Sequence, residues 1–298
     1  MAPELSPSSP LIPVLPAEVQ ALLARATRRE TPCRTVSGSM VWHVWGWQGF
    51  DALLAPLVLL HGGSGSWTHW LRNIDALVAS GRRVLVPDLP GFGDSAAPLH
   101  GIDADALPEL LAQGLQCLLG DAACDVAGFS FGGMVAGFMA ARWPLRVARL
   151  VLVGAPGLGI APEKVIRLKA WRHRPTASER DGIHRHNLAA LMLFRLDSIT
   201  ELALRLHVAN VERDRMQGRS LSRTDALAHA LARVACPVQA IYGAEDALYR
   251  GRMPALAPAL QQAPGFQALT LIEAAGHWVQ FESPDAFNAA LLAALEQC

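Results

Sequence analysis

Short apolar runs and longer amphipathic stretches alternate along most of the chain. Continuously apolar runs are typical of strands that are buried on both faces of a parallel sheet. Such runs lie at 56–60, 82–86, 126–127, 148–153 and 237–242, and a last strand follows at 268–272. Stretches with apolar residues three or four positions apart predict helices between them, at 67–80, 104–119, 133–142 and 284–297. This alternation predicts an α/β fold with a mostly parallel, doubly wound sheet.

Two parts of the chain depart from this alternation. At the start, a Pro- and Ser-rich arm at 1–16 precedes a predicted helix at 17–29, and predicted strands follow at 34–36 and 40–47. Further on, amphipathic helices replace the strands, at 162–172, 178–194, 199–216 and 224–234. We interpret residues 157–234 as an inserted helical cap. The predicted organisation is then an arm and helix over 1–30, a core in two parts over 31–156 and 235–298, and the cap between the two core parts.

The composition predicts a globular, soluble protein. The chain has 298 residues, of which 51% are hydrophobic, enough for a large buried core. Lys plus Arg and Asp plus Glu are both 26, so the net charge points neither to nucleic acid nor to an anionic membrane as a partner. Basic residues outnumber acidic ones in the predicted cap, and the reverse holds for the rest of the chain.

Cysteine usage and the apolar run lengths indicate a cytoplasmic location. The five cysteines are widely spaced and form no Cys-x-x-Cys pair, which predicts neither a disulfide framework nor a zinc site. The first 16 residues lack the basic and apolar regions of a signal peptide. No apolar run reaches the roughly 18 residues that a membrane span needs. We expect a small molecule as the partner and no metal or organic cofactor, and a homodimer is left open.

The segment from Cys124 to Met134 carries the first chemical signal. A short apolar strand ends in Gly128-Phe129-Ser130-Phe131-Gly132, and a helix of small and apolar residues follows. This is the G-x-S-x-G pattern, in which a serine occupies a sharp strand-to-helix turn with its hydroxyl exposed above the sheet. Glycine at 128 and 132 lets strand and helix approach closely around the turn. Ser130 is therefore a candidate nucleophile.

Other polar groups follow the ends of other predicted strands. His61-Gly62-Gly63 directly follows one strand, Asp246 another, and His277 the last. Ligands of open α/β sheets bind at the carboxyl ends of the strands, where these groups meet. A serine hydroxyl needs a base within hydrogen-bond reach, and neutral imidazole suits that task. We predict that His277 is this base and that an acid orients it.

The order Ser130, Asp246, His277 is the order of the α/β-hydrolase triad, and the chain resembles that superfamily over nearly its whole length past residue 34. The matching motifs are His61-Gly62-Gly63, the Pro-Gly-Phe-Gly-Asp-Ser turn at 90–95, the G-x-S-x-G turn at 128–132, which we call the elbow, Gly-x-x-Asp at 243–246 and Gly276-His277. The resemblance implies the α/β-hydrolase fold with an inserted cap. It also favours Asp246 over its neighbour Glu245 as the acid, because the family acid stands at the fourth position of Gly-x-x-Asp.

The resemblance also implies where the oxyanion of a tetrahedral intermediate binds. The backbone N–H of Phe131 would supply one donor, and the glycine loop after His61 the second, from Gly63. His61 itself is expected to be structural and hydrogen-bonded beneath the loop. The remaining histidines show no metal-like clustering in the sequence.

Within the superfamily the chain is most similar to the meta-cleavage-product hydrolases, which cut carbon–carbon bonds, and to related esterases. This predicts a serine hydrolase that cleaves an ester or thioester, with a carbon–carbon bond as the alternative and a non-catalytic ligand receptor as a second alternative. Two interpretations of the basic residues in the predicted cap stay open. Most of them can form a solvated helical face, or one or two cationic groups on the inward face of the helix at 199–216, Arg205 or His207 foremost, can hold an anionic part of the substrate. The residues expected at the substrate site are Ser64, Trp67, Phe129, Arg205, His207 and Trp278.

Overall fold

One mixed sheet of eight strands organises the protein. The structure is a computed structural model that describes residues 16–33, 38–48 and 54–296. The strands are β1 (Thr27–Pro32), β2 (Ser39–Trp45), β3 (Leu57–Leu60), β4 (Val84–Pro87), β5 (Cys124–Phe129), β6 (Val147–Val153), β7 (Val238–Gly243) and β8 (Phe266–Ile272). Their spatial order is β1-β2-β4-β3-β5-β6-β7-β8. β2 pairs antiparallel with both β1 and β4, and every pair from β4 to β8 is parallel.

Helices cover both faces of this sheet. They are α1 (Ala17–Leu23), α2 (Ile74–Ala79), α3 (Pro108–Leu119), α4 (Phe131–Arg142), α5 (Ala177–Asn187), α6 (Glu201–Glu212), α7 (Ala226–Leu231), α8 (Leu256–Leu260), α9 (Val279–Glu282) and α10 (Pro284–Glu296). Two buried apolar clusters result, one on each side of the central strands. Val58 and Leu60 contribute to one cluster and Leu57 and Leu59 to the other, because alternate side chains of a strand point to opposite faces. The run at 56–60 is continuously apolar because this strand is buried on both faces, as predicted.

The first described elements differ from the prediction at 17–29. The helix ends at Leu23, and β1 begins at Thr27. β1 is an edge strand whose first four residues are half-buried or exposed, and charged side chains on such a strand discourage pairing with other chains. Since β1 is not apolar, the hydrophobic pattern did not reveal it. The predicted arm, apart from residue 16, and the predicted strand at 34–36 lie outside the described residues.

Between β6 and β7 the chain leaves the sheet, and we call residues 154–237 the β6–β7 insertion. It contains α5, a π-helical turn at Leu188–Met192, α6 and α7. The predicted helix at 162–172 was wrong, because this stretch has no regular secondary structure. The side chain of Asn187 hydrogen-bonds both backbone groups of Lys169, accepting from its N–H at 2.8 Å and donating to its C=O at 2.9 Å. Lys169 thus has hydrogen-bond partners for its backbone without being part of a helix.

Among the described residues, no helix is both long and apolar enough to cross a membrane.

Candidate active site

The turn between β5 and α4 holds Ser130 in a strained conformation. Its φ is +51° and its ψ −117°, a region that residues with a side chain rarely adopt. The turn is held because Ser130 N–H donates to the Val153 C=O at 2.8 Å and Gly133 N–H donates back to the Ser130 C=O at 2.9 Å. A Cβ on Gly132 would lie 2.5 Å from the carbonyl oxygens of both Leu60 and His61. Only glycine fits there, as the motif predicted.

Ser130, His277 and Asp246 form a continuous chain of hydrogen bonds. His277 Nε2 lies 2.9 Å from Ser130 Oγ, and His277 Nδ1 lies 2.7 Å from Asp246 Oδ2. Asp246 is fully buried and its other oxygen accepts from Leu248 N–H at 2.9 Å, so the carboxylate is fixed on both sides. With Nδ1–H donating to this carboxylate, Nε2 is free to accept the serine proton. The structure therefore joins the three residues that the sequence singled out.

The neighbouring carboxylate, Glu245, does not contact His277. Its side chain is 36% exposed and forms an ion pair with Arg250, with Nε 3.0 Å from Oε2. The geometry favours Asp246 as the acid, in agreement with the Gly-x-x-Asp spacing.

The glycine loop lies against the start of α4. A Cβ on Gly62 would be 3.3 Å from Ser130 Cβ, and one on Gly63 would be 3.6 Å from Phe131 Cβ. Phe131 is the first residue of α4, and the first N–H groups of a helix have no acceptor within that helix. The glycine loop and the first turn of α4 therefore lie side by side next to Ser130.

Two buried histidines support this loop. His61 accepts from Leu89 N–H through Nε2 at 2.9 Å, and its Nδ1 lies 2.8 Å from the Gly62 carbonyl oxygen. His69 accepts from Gly62 N–H through Nδ1 at 3.2 Å. Burial lowers the pKa of both imidazoles, which keeps them neutral in the fold. His61 thus has the structural role that was expected, and His69 was not anticipated.

A cavity of about 430 Å³ adjoins the loop, a size typical of small-molecule sites. Its core side includes Gly63, Ser64 and His69, and its other side belongs to the β6–β7 insertion, with Trp171, Met192 and His207 among the lining residues. Burial is the main cause that lowers the pKa of His207, to about 3, so this imidazole is neutral near pH 7.

Comparison with known proteins agrees with this geometry. Residues 57–290 match the model of the alpha/beta hydrolase family. This chain belongs to that family. The dihydrolipoyllysine-residue acetyltransferase component of the acetoin cleaving system of Pseudomonas putida is 32% identical over 81% of this chain, which spans only 64% of that relative's length. The 2-hydroxy-6-oxo-6-phenylhexa-2,4-dienoate hydrolase of Burkholderia cepacia is 28% identical over 78% of this chain and 84% of the relative.

Among solved structures, carboxylesterase CesB from Bacillus subtilis superimposes with a TM-score of 0.72 at 20% identity, covering 94% of each chain. Identity at this level shows the shared fold. The family match and the hydrolase relatives identify this α/β-hydrolase as an enzyme of the hydrolase class.

Four of the expected substrate residues lie away from the cavity surface of this α/β-hydrolase. Arg205 is about half exposed and paired with Glu201 at 2.6 Å and Asp181 at 3.3 Å, on the side of α6 opposite its buried residues. Trp67 is buried against the rings of His43 and Trp45. The position of Arg205 contradicts its expected place on the inward face of α6, whereas substrate contact by Trp67 stays a prediction.

Phe129 and Trp278 are buried as well, and both support other site residues. The Phe129 ring packs between His69 and His277, with centroids 5.4 and 5.0 Å away. Trp278 donates from Nε1 to the His69 C=O at 2.9 Å and has no exposed surface. They hold the histidines in place, and their contact with substrate stays a prediction. Ser64 and His207 do line the cavity.

Three further features were not anticipated from the sequence. Gly154, at the end of β6, has a φ of +53°, and a Cβ there would lie 3.2 Å from His277 Nδ1 and 3.3 Å from Asp246 Oδ2. Glu282 is buried and accepts from the N–H groups of Gly276, Phe194 and Arg195 at 2.7–3.0 Å, which ties the His277 loop to the insertion. An ion pair between Asp214 and Arg219 contacts Ser64. Of these three features, only Gly154 had a signal in the sequence, because a glycine directly after a predicted strand marks a turn.

One histidine does lie near carboxylates, contrary to the expectation of no clustering. Within the described residues, potential ligand atoms of His43, Asp88 and Asp94 come within 4.8 Å of one another. The two oxygens of Asp88 accept from Trp67 N–H at 2.9 Å and Asp94 N–H at 2.8 Å, and Asp94 pairs with Arg213. These contacts fix the turn at 88–95, which explains the carboxylates without a metal.

Proposed function

We propose that this α/β-hydrolase is a serine hydrolase that cleaves a small-molecule ester or thioester. The observation that carries the proposal is the hydrogen-bonded chain from Ser130 through His277 to buried Asp246, at 2.9 and 2.7 Å. A serine, a neutral imidazole and an acceptor carboxylate in this order provide a nucleophile, a general base and a group that orients the base. At these distances the hydroxyl, the imidazole and the carboxylate are already aligned for proton transfer.

In the first half of the reaction, Ser130 Oγ attacks the substrate carbonyl carbon, and its proton passes to His277 Nε2. Asp246 stabilises the imidazolium that forms. The tetrahedral intermediate collapses as the alcohol or thiol leaves with that proton. In the second half, the oxygen of a water molecule attacks the acyl carbon of the acyl-enzyme while one of its protons passes to His277 Nε2. The bond from the acyl carbon to Ser130 Oγ then breaks, Oγ takes that proton from His277, and the acid leaves.

The oxyanion of each tetrahedral intermediate would accept hydrogen bonds from the N–H groups of Gly63 and Phe131. Removing one such donor typically costs about 3 kcal/mol of transition-state stabilisation. Both donors belong to the backbone. Hydrogen bonds to His61 and His69 hold the loop of Gly63, and Phe131 is held as the first residue of α4.

The cavity supports an uncharged acyl or alcohol group of moderate size. We place it between the core residues Ser64 and His69 and the insertion residues Trp171, Met192 and His207. His207 is neutral, with its pKa lowered by burial to about 3, and Asp214 is neutralised by Arg219. Lys169 and Arg172 at the same cavity are largely exposed, where an anionic substituent could reach them.

The test is labelling with an active-site-directed fluorophosphonate together with hydrolysis of a panel of activated esters. We expect one adduct, on Ser130, and a fall in turnover of roughly 10⁴-fold or more in Ser130→Ala, because only the oxyanion hole and binding would remain. Ser222→Ala, which alters an exposed serine of the insertion, is the matched control and should behave as wild type. Near-normal turnover in Ser130→Ala would refute the nucleophile. A wild-type protein that binds esters without turnover or labelling would support the receptor alternative.

A carbon–carbon bond is the second candidate, and similarity over 84% of the dienoate hydrolase from Burkholderia cepacia favours it. The same panel should therefore include vinylogous 1,5-diketones. A value of kcat/KM for a diketone above that for every ester would replace the first candidate with the second.

A further inference from the structure

A short stretch of the β6–β7 insertion directly after α6 lies over the glycine loop. Two of its residues, Asp214 and Arg219, form a bidentate ion pair, with Nη1 3.0 Å from Oδ1 and Nη2 2.8 Å from Oδ2. The side chains are only 21% and 11% exposed for Arg219 and Asp214, respectively. Arg219 also donates to the Met216 C=O, and Asp214 Oδ1 accepts from Met216 N–H at 2.8 Å. The pair is thus a rigid unit.

This ion pair binds the loop through Ser64. The Ser64 hydroxyl donates to Asp214 Oδ2 at 2.5 Å, and Arg219 Nη2 donates to the same hydroxyl at 3.2 Å. Ser64 has a φ of +48°, a left-handed conformation that a serine adopts only when its surroundings hold it. The two bonds from the insertion supply that restraint. Gly63, the residue before it, is the proposed oxyanion donor.

Arg219 also lies against the second proposed donor. Its guanidinium carbon is 5.4 Å from the ring centroid of Phe131 and 5.2 Å from that of Phe92. A Cβ on Gly63 would lie 3.5 Å from Arg219 Nη2. One guanidinium therefore contacts both segments that flank the oxyanion position, the loop at 63–64 and the start of α4.

The stretch itself is anchored to the core. Asp103 accepts from the N–H groups of Ser220 and Leu221 through Oδ2, and the Met216 side chain fills the space where a Cβ of Gly91 would lie, 2.3 Å from Met216 Cγ. Burial opposes ionisation of Asp214, but its bonds to Arg219 and Ser64 and the charge of Arg219 outweigh that effect and lower its pKa. The lowered pKa of Asp214 favours the ionised carboxylate and so the ion pair near neutral pH.

We propose that Asp214 and Arg219 are positioning residues of the oxyanion hole, which act through Ser64 and Phe131 to fix the distance between the Gly63 and Phe131 N–H groups. This role rests on the proposed function. It follows that the insertion contributes to transition-state stabilisation as well as to the cavity wall. A displacement of about 1 Å in a catalytic group can lower the rate roughly a hundredfold.

The test compares Arg219→Ala, Arg219→Lys and Ser64→Ala with wild type on an activated ester. We expect kcat to fall about ten- to a hundredfold in Arg219→Ala with KM changed less than about threefold, since the interaction matters most in the transition state. Arg219→Lys should lose less, because an ammonium keeps the charge but not the bidentate fork. Ser64→Ala breaks the link to the loop and leaves the ion pair intact, so it reports on positioning without removing a charge.

Binding of a transition-state analogue distinguishes a positioning role from a merely structural one. A trifluoromethyl ketone forms a tetrahedral oxyanion adduct with a nucleophilic serine, whereas its unfluorinated methyl ketone binds as the ground state. Affinity for the first should fall by the same factor as kcat/KM in each variant, and affinity for the second should not change. Guanidinium chloride at millimolar concentration should restore part of the activity of Arg219→Ala only.

Arg185→Ala is the matched control. Arg185 belongs to the same insertion, pairs with one carboxylate, Glu201, at 2.9 Å, and donates to one backbone carbonyl, yet lies outside the cavity lining. Its kcat should stay within twofold of wild type. Unchanged kcat in folded Ser64→Ala and Arg219→Lys would overturn the positioning role, as would an equal loss in Arg185→Ala. A wild-type protein that neither hydrolyses nor labels would instead refute the proposed function.

Discussion

Replacing Asp246 with asparagine tests the catalytic proposal with almost no change in shape. The carboxylate accepts on both sides, from His277 Nδ1–H at 2.7 Å and from Leu248 N–H at 2.9 Å. An asparagine side chain has one acceptor oxygen and one donor group. If the oxygen faces Leu248, the amide group faces His277 Nδ1, which must then carry no hydrogen. The proton of the imidazole moves to Nε2, and His277 can no longer accept from Ser130.

The size of the effect follows from two terms. Turning the amide the other way would restore the tautomer but bring two N–H donors together at Leu248, and a buried unpaired donor costs about 1–3 kcal/mol. The variant also lacks the negative charge beside the imidazolium, worth about 4 kcal/mol for charges some 4 Å apart at an effective dielectric constant of 20. Together these terms give about 5–7 kcal/mol, so we expect kcat/KM to fall about 10⁴-fold or more.

The assay is kcat/KM on an activated ester, with thermal unfolding of the same samples. Glu245→Gln is the control, because Glu245 lies next in sequence but bonds to Arg250 at the surface, where an ion pair contributes at most about 1 kcal/mol to stability. Its activity should stay within twofold of wild type. A folded Asp246→Asn enzyme within tenfold of wild type would refute the tautomer argument, and a large loss in Glu245→Gln would transfer the acid role to that residue.

Two further predictions concern stability. Gly132→Ala should lower the unfolding free energy by about 1–3 kcal/mol, because a Cβ would lie 2.5 Å from two carbonyl oxygens. Gly182→Ala, in α5, should raise the unfolding free energy by up to about 1 kcal/mol, because a Cβ there has nothing within 4 Å and alanine favours the helix. Urea titration of both variants measures the two changes. Burial lowers the pKa of His207 to about 3, whereas the pKa of a histidine in the unfolded chain is about 6.5. As the pH drops below about 6.5, the unfolded chain binds a proton at His207 that the folded protein does not, so the free energy of unfolding decreases. Between pH 7.5 and 5.5 this one histidine should account for about 1.4 kcal/mol of the loss, and a His207→Gln variant with an unchanged pH slope would contradict that.

The elbow could be predicted because a five-residue pattern marks it. The constraint on Gly128 is local, since a Cβ there would lie 2.4 Å from the Gly132 carbonyl oxygen. Gly132 is constrained by the carbonyl oxygens of Leu60 and His61, 2.5 Å from its own would-be Cβ and far away in sequence, yet the same pattern includes it. The strands were predictable for a related reason, since burial on both faces leaves an unbroken apolar run. The exposed edge strand β1 lacks that signal, and its paired partner β2 stabilises it from outside its own sequence.

The wrong expectation for Arg205 illustrates a limit of helical periodicity. Ala203, Leu204, Leu206 and Asn210 form the buried face of α6, and the apolar residues beside Arg205 suggested the same face for it. The pair Glu201 and Arg205, four residues apart, was a competing signal in the sequence and is the contact that forms. His207 faces the cavity and had been chosen for the same reason as Arg205, so the pattern located the helix near the site without giving its rotation.

The link between Ser64 and Arg219 had no signal in the sequence, because 155 positions separate the two residues and neither belongs to a motif. The same holds for the contacts that join the His277 loop to the insertion, where Trp278 N–H donates to the Met192 C=O at 2.7 Å and Glu282 binds the N–H groups of Phe194 and Arg195. The insertion therefore contacts both the glycine loop, which holds a proposed oxyanion donor, and the loop of His277, the proposed base. The residues of the core motifs do not form these contacts themselves. Sequence changes in the insertion can therefore alter the geometry of the reacting groups as well as the choice of substrate.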